Sequence, residues 1–250
     1  MSLLAGLVSQ EGVNEERDVL GGFGVWETDI YDCVITLAYA QKSSGGATGI
    51  TFHVKSDKGA DLRFTQYVTG GDAKGNKNYY EKDGQKHYLP GFNIVNAICQ
   101  LTIDKELGNM ETEMKKVKLW DSDAKAEIPK DVPVLVELLN QRITLGVEKV
   151  IVDKTVKNPS TNEYVPTGDT REENEINKIY HTDTRMTVQE IKGKMTSPEF
   201  YQAWLEKNKG KTRNKAKFAG KGQTGTNGAP AAGSAPAPAK KSLFGSKAPE

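Results

Sequence analysis

Alternating hydrophobic and polar residues dominate the first third of the chain and predict a meander of three β-strands. Residues 30–40 are rich in β-branched and aromatic side chains, and residues 49–55 and 62–69 alternate between apolar and polar positions. The Asp-Lys-Gly sequence at 57–59 is typical of a hairpin turn. The pattern therefore predicts three consecutive strands with short connections.

Helical spacing follows this meander and predicts a helix that begins near Pro90 and ends near Gly108. Ile94, Ile98 and Leu101 recur at the helical period, and glycine is common just past a helix C-terminus. The remaining predicted elements are strands over residues 114–120, 133–139, 143–156 and 175–181 and helices over residues 187–194 and 197–207.

The order strand, strand, strand, helix, strand, strand over residues 30–156 is that of an OB-fold. We therefore predict a mainly β (α+β) fold, with an OB-fold-like five-stranded barrel, a helix between strands 3 and 4, a C-terminal helical extension and a disordered tail. The predicted boundaries are an N-terminal arm over residues 1–29, the OB-like nucleic-acid-binding domain with its helical extension over 30–207, and the tail over 208–250.

A basic, tyrosine-rich segment over residues 70–87 separates the third strand from the helix. Connections of this length without regular structure are usually functional or disordered. Binding of single-stranded nucleic acid needs aromatic rings for base stacking and cations for phosphates, and this segment supplies both.

Strand alternation gives the same chemistry to one face of the second and third strands, opposite the face of Phe52 and Phe64, which are predicted core residues. The candidate nucleic-acid-binding residues are His53, Lys55, Arg63, Tyr67, Lys74, Lys77, Tyr79, Tyr80, Lys82, Lys86 and Tyr88. The aromatics Trp26, Tyr31 and Tyr39 are predicted to pack within the fold. An ordinary half-exposed sheet followed by a solvated lysine loop is the alternative interpretation.

Charge is distributed unevenly along the chain. Residues 207–250 hold ten basic residues and one acid, whereas the preceding 206 residues hold 24 basic and 32 acidic residues, a net charge of −8. A basic, Ala/Pro/Gly-rich tail predicts disorder and sequence-independent affinity for polyanions through Lys211, Arg213, Lys215 and Lys217. A tail that only improves solubility is an equal alternative, and a further one is a tail that lies on the acidic body when DNA is absent. The apolar pair Leu243 and Phe244, flanked by lysines, is a candidate partner-docking motif.

Other classes of function find little support in the sequence. Cys33 and Cys99 are too few for a disulfide scaffold and are predicted to be buried thiols. The three histidines are far apart in sequence, so no metal, cofactor or catalytic constellation is predicted. No run of about 18 apolar residues predicts a membrane-spanning helix. The start of the chain lacks a basic signal-peptide region, and secretion is not expected.

Three segments, residues 31–40, 89–93 and 177–181, are similar to those of bacteriophage single-stranded DNA-binding proteins of the podovirus type. The resemblance extends over most of residues 25–210 and implies a phage replication and recombination protein with an OB-type core in the host cytoplasm. Many members of this functional class end in an acidic tail that recruits partners. Here the tail is basic, which puts that mechanism in doubt.

The sequence therefore predicts a non-enzymatic, sequence-independent single-stranded DNA-binding protein without cofactors. A tail contact with a replication or transcription protein is also expected. The alternative is a phage adaptor or scaffold protein that recruits such machinery through its tail. A third hypothesis, a nuclease whose acids assemble only in space, has no motif in its favour.

Overall fold

The structure, a computed structural model, describes residues 24–121, 124–159 and 164–219. Its strands are β1 (Asp29–Lys42), β2 (Thr48–Ser56), β3 (Asp61–Tyr67), β4 (Tyr79–Lys82), β5 (Gln85–Tyr88), β6 (Glu113–Asp121), β7 (Ala126–Val134), β8 (Arg142–Lys157), β9 (Tyr164–Tyr180) and β10 (Thr212–Asn214). Its helices are α1 (Pro90–Ile103), α2 (Val188–Lys192) and α3 (Glu199–Asn208). The predicted mainly β class is confirmed.

Eight strands form one sheet with the central order β3-β2-β1-β8-β9, and β4 with β5 forms a separate hairpin. All strand pairs are antiparallel except β10 with β8. Among the described strands no ladder joins β3 to β9, so the sheet does not close into a barrel. Helix α1 packs against both β3 and β9 and covers this opening.

A register shift in β1 divides the interior into two cores. Ile35 pairs with Val54 but Leu37 pairs with His53, so Thr36 is an extra residue that reverses the alternation. Before and after it, β1 contributes to a main core that includes Ile35, Ala38, Phe52 and Phe64. Leu37 and Tyr39 therefore face the other way, into a small second core beneath the β6–β7 hairpin.

Several predicted core residues are confirmed. Phe52 and Phe64 are 0% and 8% exposed and their rings stack at 5.2 Å. Cys33 and Cys99 are buried, which raises the pKa of each thiol to about 12. Trp26 packs against Tyr31 at 4.7 Å, and Tyr39 is buried, as expected for packing residues.

Three predicted elements are wrong in detail. Residues 70–87 are not an irregular loop, because they contain the β4–β5 hairpin. Helix α1 ends at Ile103, where Asp104 takes the left-handed conformation (φ 55°), and not at Gly108. The strand predicted over residues 133–139 is β7, which ends at Val134 before a short 3-10 turn.

The prediction of a disordered tail is wrong for its first residues. Residues 209–219, which we call the strap, run along the folded body, and β10 within them pairs with β8. The amide of Gly210 donates to the Thr28 carbonyl at 2.8 Å, so the strap also ties the end of the predicted N-terminal arm to the sheet. Residues 220–250 lie outside the described residues.

Helix α1 begins at a close approach that only glycine permits. A Cβ on Gly91 would lie 2.2 Å from the carbonyl oxygen of Tyr67, at the end of β3. Such a contact is far inside van der Waals distance, so a larger residue would displace the helix from the strand.

We expect Gly91→Ala to lower the free energy of unfolding by about 1–3 kcal/mol, measured by urea denaturation. Helix propensity alone would favour alanine by about 1 kcal/mol, so the sign of the change tests the contact. Gly108→Ala is the matched control, because a Cβ there meets no atom within 4 Å. A Gly91→Ala protein as stable as the control would contradict the close approach.

Candidate nucleic-acid interface

The outer face of β2 and β3 carries four of the predicted binding residues. His53 pairs with Arg63, and Lys55 and Tyr67 lie on the same face by alternation. Lys55 and Arg63 are exposed, and Tyr67 is 48% exposed. The ring of Tyr67 lies over Gly49 of β2, where a Cβ would meet it at 3.1 Å. Glycine at this position therefore lets the ring lie against the sheet with its other side open to solvent.

His53 contributes differently from the prediction. Burial is the main cause that lowers its pKa, and the nearby Arg63 guanidinium lowers it further. The imidazole is therefore neutral at pH 7, and its Nε2 is buried without a hydrogen-bond partner. Arg63 donates to the hydroxyl of Tyr39 at 3.2 Å. On this face the positive charge comes from Lys55 and Arg63 alone.

The β4–β5 hairpin places the predicted tyrosines on two opposite faces. Tyr79 pairs with Tyr88, and Tyr80 pairs with His87, so the two pairs alternate across the hairpin. Asp83 and Gly84 both have positive φ, 52° and 74°, as a two-residue turn of this type requires. The Asp-Gly sequence is the local signal that could have predicted this hairpin.

Cations and aromatic rings meet on the Tyr79 face of the hairpin. The ammonium groups of Lys77 and Lys86 lie 5.5 and 5.1 Å from the centre of the Tyr79 ring. Tyr88 is 58% exposed and stacks at 4.9 Å on Phe92, a residue of α1 that the sequence prediction missed. This face offers stacking surfaces with positive charge beside them, the combination that single-stranded nucleic acid requires.

The opposite face carries the other predicted tyrosine. There Tyr80, which is 45% exposed, contacts His87 with ring centres 5.5 Å apart. By alternation Lys82 lies on this side, whereas Lys86 lies with Tyr79. Lys74 is exposed in the 3-10 turn that precedes the hairpin. The structure thus separates Tyr80 and Lys82 from the other predicted residues of the hairpin.

Backbone hydrogen bonds hold the base of the hairpin in place. The amide of Leu89 donates to the Asn78 carbonyl and that of Gly70 to the Lys77 carbonyl, both at 2.9 Å. The preceding turn is tied to the β1–β2 connection, because the Asp72 amide donates to the Gly45 carbonyl at 2.9 Å. The hairpin therefore has a fixed position next to α1 and β3.

A groove of about 1140 Å³ is lined by one residue of each of these two surfaces. It lies between the open edges of β3 and β9, beside α1 and α2. Arg63 of the β2–β3 face and Tyr88 of the hairpin both line it, as do Phe92 and Lys178. Of the predicted residues, these contacts bring Arg63 and Tyr88 together at one continuous depression.

None of the six exposed cations on these surfaces forms an ion pair with an acid in the described part of the chain. They are Lys55, Arg63, Lys74, Lys77, Lys82 and Lys86. Their charges are therefore available to an anionic ligand, and each could replace counterions at a phosphate.

The cations of the strap are in a different state. Arg213 contacts the carboxylates of Glu148 and Glu175 at 2.8 and 3.0 Å, and Lys215 contacts Glu175 at 2.5 Å. The side chains of Lys211 and Lys217 are exposed. Two of the four predicted tail cations are thus paired with acids of the body. The predicted docking pair Leu243 and Phe244 lies outside the described residues.

Other kinds of site find no geometric support in residues 24–121, 124–159 and 164–219. No group of three His, Cys, Asp or Glu side chains there is close enough to hold a metal ion. None of the helices in these ranges is long and apolar enough to cross a membrane.

We expect Arg213→Ala to lower the free energy of unfolding by about 1–2 kcal/mol, because Glu148, only 8% exposed, loses its cation. The loss should be smaller than for a fully buried pair, since Arg213 is half exposed. Lys215→Ala removes only an exposed ion pair and should change stability by about 0.5 kcal/mol or less. Urea denaturation measures both, and equal losses would mean that the strap does not neutralise Glu148.

No protein-family model matches the chain, and no curated protein matches it by sequence.

Proposed function

We propose that this protein binds single-stranded DNA without sequence preference and serves phage DNA replication and recombination as a non-enzymatic component in the host cytoplasm. The observation that carries the proposal is the Tyr79 face of the β4–β5 hairpin. It combines an exposed stacked pair, Tyr88 on Phe92, with Lys77 and Lys86 beside Tyr79. Every base has a π-face, so stacking on these rings is tolerant of sequence.

The order of the secondary-structure elements supports an open variant of the OB-fold. Three meander strands, a helix and two further strands correspond to β1, β2, β3, α1, β8 and β9, with the β6–β7 hairpin inserted before β8. OB-folds bind oligonucleotides on the face of their second and third strands. In this chain that face holds Lys55, Arg63 and Tyr67, next to the hairpin.

In this mechanism the single-stranded DNA lies across the β2–β3 face and along the β4–β5 hairpin. The phosphates contact the unpaired lysines and Arg63, while bases stack on Tyr67 and on the Tyr88–Phe92 pair. The folded body as a whole is acidic, so the unpaired cations on this surface determine where a polyanion binds. The strap adds little in this state, because Glu148 and Glu175 already neutralise two of its cations.

Titration of the full chain with fluorescently labelled oligo-dT at several salt concentrations tests the proposal. Each phosphate contact on a single strand contributes a slope of about −0.7 to the dependence of log K on log salt. Six available cations therefore predict a slope of up to about −4, and duplex of the same length should bind more weakly. No binding of either form, or equal binding of both, would contradict the function.

Tyr88→Ala should weaken oligo-dT binding by about 1–3 kcal/mol, the contribution of one stacked base. Tyr80→Ala is the matched control, because it removes an exposed tyrosine from the other face of the same hairpin. Anisotropy titrations of the two variants should differ clearly. If both variants bind as the wild type does, the hairpin lies outside the binding surface.

A further inference from the structure

The exposure of Trp120 is not explained by the site described above. The chain has three tryptophans, and the other two are buried: Trp26 is 9% and Trp204 is 3% exposed. Trp204 also donates its indole N–H to Asn177 at 2.8 Å. Trp120, on β6, is 57% exposed. Tryptophan is enriched at binding interfaces, where its large ring leaves water when a complex forms.

The register of the β6–β7 hairpin shows which residues share a face with Trp120. Val117 and Leu119 point inward and pack in the second core, so the residues between them point outward. The outer face of β6 carries Met114, Lys116, Lys118 and Trp120, all of them exposed. We call Lys116, Lys118 and Trp120 the β6 strip.

The two lysines of the strip are free to contact a ligand. Lys115 and Lys130, on the inner face, form ion pairs with Glu113 and Asp121 at 3.2 and 2.7 Å. Lys116 and Lys118 form no ion pair with any acid among the described residues. The acids of this face, Glu127 and Asp131, lie on β7, so β6 is its cationic side.

The hairpin borders the β2–β3 face. Leu119 of β6 packs with Tyr39 in the second core, and the hydroxyl of Tyr39 accepts a hydrogen bond from Arg63. Glu127, which pairs with Trp120, acts electrostatically on His53 of β2. The β6–β7 hairpin therefore lies beside Arg63 and His53 of the β2–β3 face.

The edges of the hairpin disfavour addition of a protein strand. Pro129 and Pro133 remove two backbone donors from β7, and lysines occupy β6, the free edge strand. What remains accessible is a face with one flat ring and two unpaired cations about 7 Å apart. This is the chemistry of base stacking with flanking phosphate contacts.

We propose that Trp120 stacks on a base of bound single-stranded DNA while Lys116 and Lys118 contact neighbouring phosphates. The bound DNA then continues from the β2–β3 face onto the β6–β7 hairpin. The inference rests on the proposed function and extends its site by a second stacking position.

Intrinsic fluorescence of the full chain gives a direct test, because Trp120 is the exposed tryptophan. Saturating unlabelled oligo-dT should quench the tryptophan emission of the wild type, and Trp120→Phe should abolish most of that quenching. Since phenylalanine keeps a flat ring, Trp120→Phe should retain affinity within about threefold. Quenching that persists in Trp120→Phe would overturn the proposal.

A second test measures the affinity of each variant for labelled oligo-dT by fluorescence anisotropy. Trp120→Ala should weaken binding about 5- to 150-fold, the factor that corresponds to one stacked base. Lys116→Ala with Lys118→Ala should weaken it and reduce the salt slope by about 1.4. Lys194→Ala with Lys207→Ala is the control, because it removes the same number of positive charges from two exposed lysines outside the hairpin.

The two proposals fail differently in these experiments. If the wild type does not bind labelled oligo-dT, the proposed function itself is wrong. If the wild type binds but Trp120→Ala, with an unchanged unfolding midpoint, binds equally well, only the β6 strip is excluded. A Trp120→Ala protein that is destabilised leaves Trp120→Phe and the lysine variant to decide, because neither alters a buried contact.

Discussion

The extra residue at Thr36 in β1 is the constraint on which the arrangement of the molecule depends. A strand that alternated without interruption would direct Leu37 and Tyr39 into the same core as Ile35. The register shift turns them outward instead, where they meet Leu119 and Val134 in the second core. The β6–β7 hairpin thus has an apolar surface to pack on, outside the main core. Thr36 also fixes the shift locally, since its hydroxyl donates to the His53 carbonyl at 3.0 Å.

The register shift at Thr36 also separates the two elements that pair with the same side of β1. Strand β1 pairs with β8 before the shift and with β7 after it, so β8 and the β6–β7 hairpin diverge from a single edge. On the other side, α1 covers the gap between β3 and β9 and carries Phe92 against the β4–β5 hairpin. The two hairpins thus extend the surface that the nine-residue β2 and the seven-residue β3 offer alone.

The sequence pattern predicted the features that depend on neighbouring residues, such as strand faces, and few of those that depend on distant contacts. Alternation identified Phe52 and Phe64 as core residues because strand faces have a strict period of two. The sequence pattern does not predict the β4–β5 hairpin, because its strands are four residues long and exposed on both faces and therefore show no apolar alternation. The predicted strand over residues 133–139 began too late, because Pro129 lies inside β7 and proline is tolerated within a strand only at a sheet edge, which sequence does not reveal. The shift at Thr36 and the pairing of Arg213 with Glu148 depend on contacts distant in sequence, and neither has a local signature.

The distribution of charge acquires a structural meaning from these contacts. The strap lies on the part of the body where Glu148, Glu175 and Asp153 converge, and Asp153 accepts the backbone amides of Lys217 and Phe218 at 2.8 and 2.9 Å. Part of the opposite charge of tail and body is therefore cancelled within the molecule. Eight of the cations that form no ion pair with a described acid lie on the β2–β3 face, in the segment from Lys74 to Lys86 and on β6. For a polyanion the near-zero net charge is thus misleading, because the local potential depends on which cations have no internal partner, and these eight share their surfaces with exposed aromatic rings.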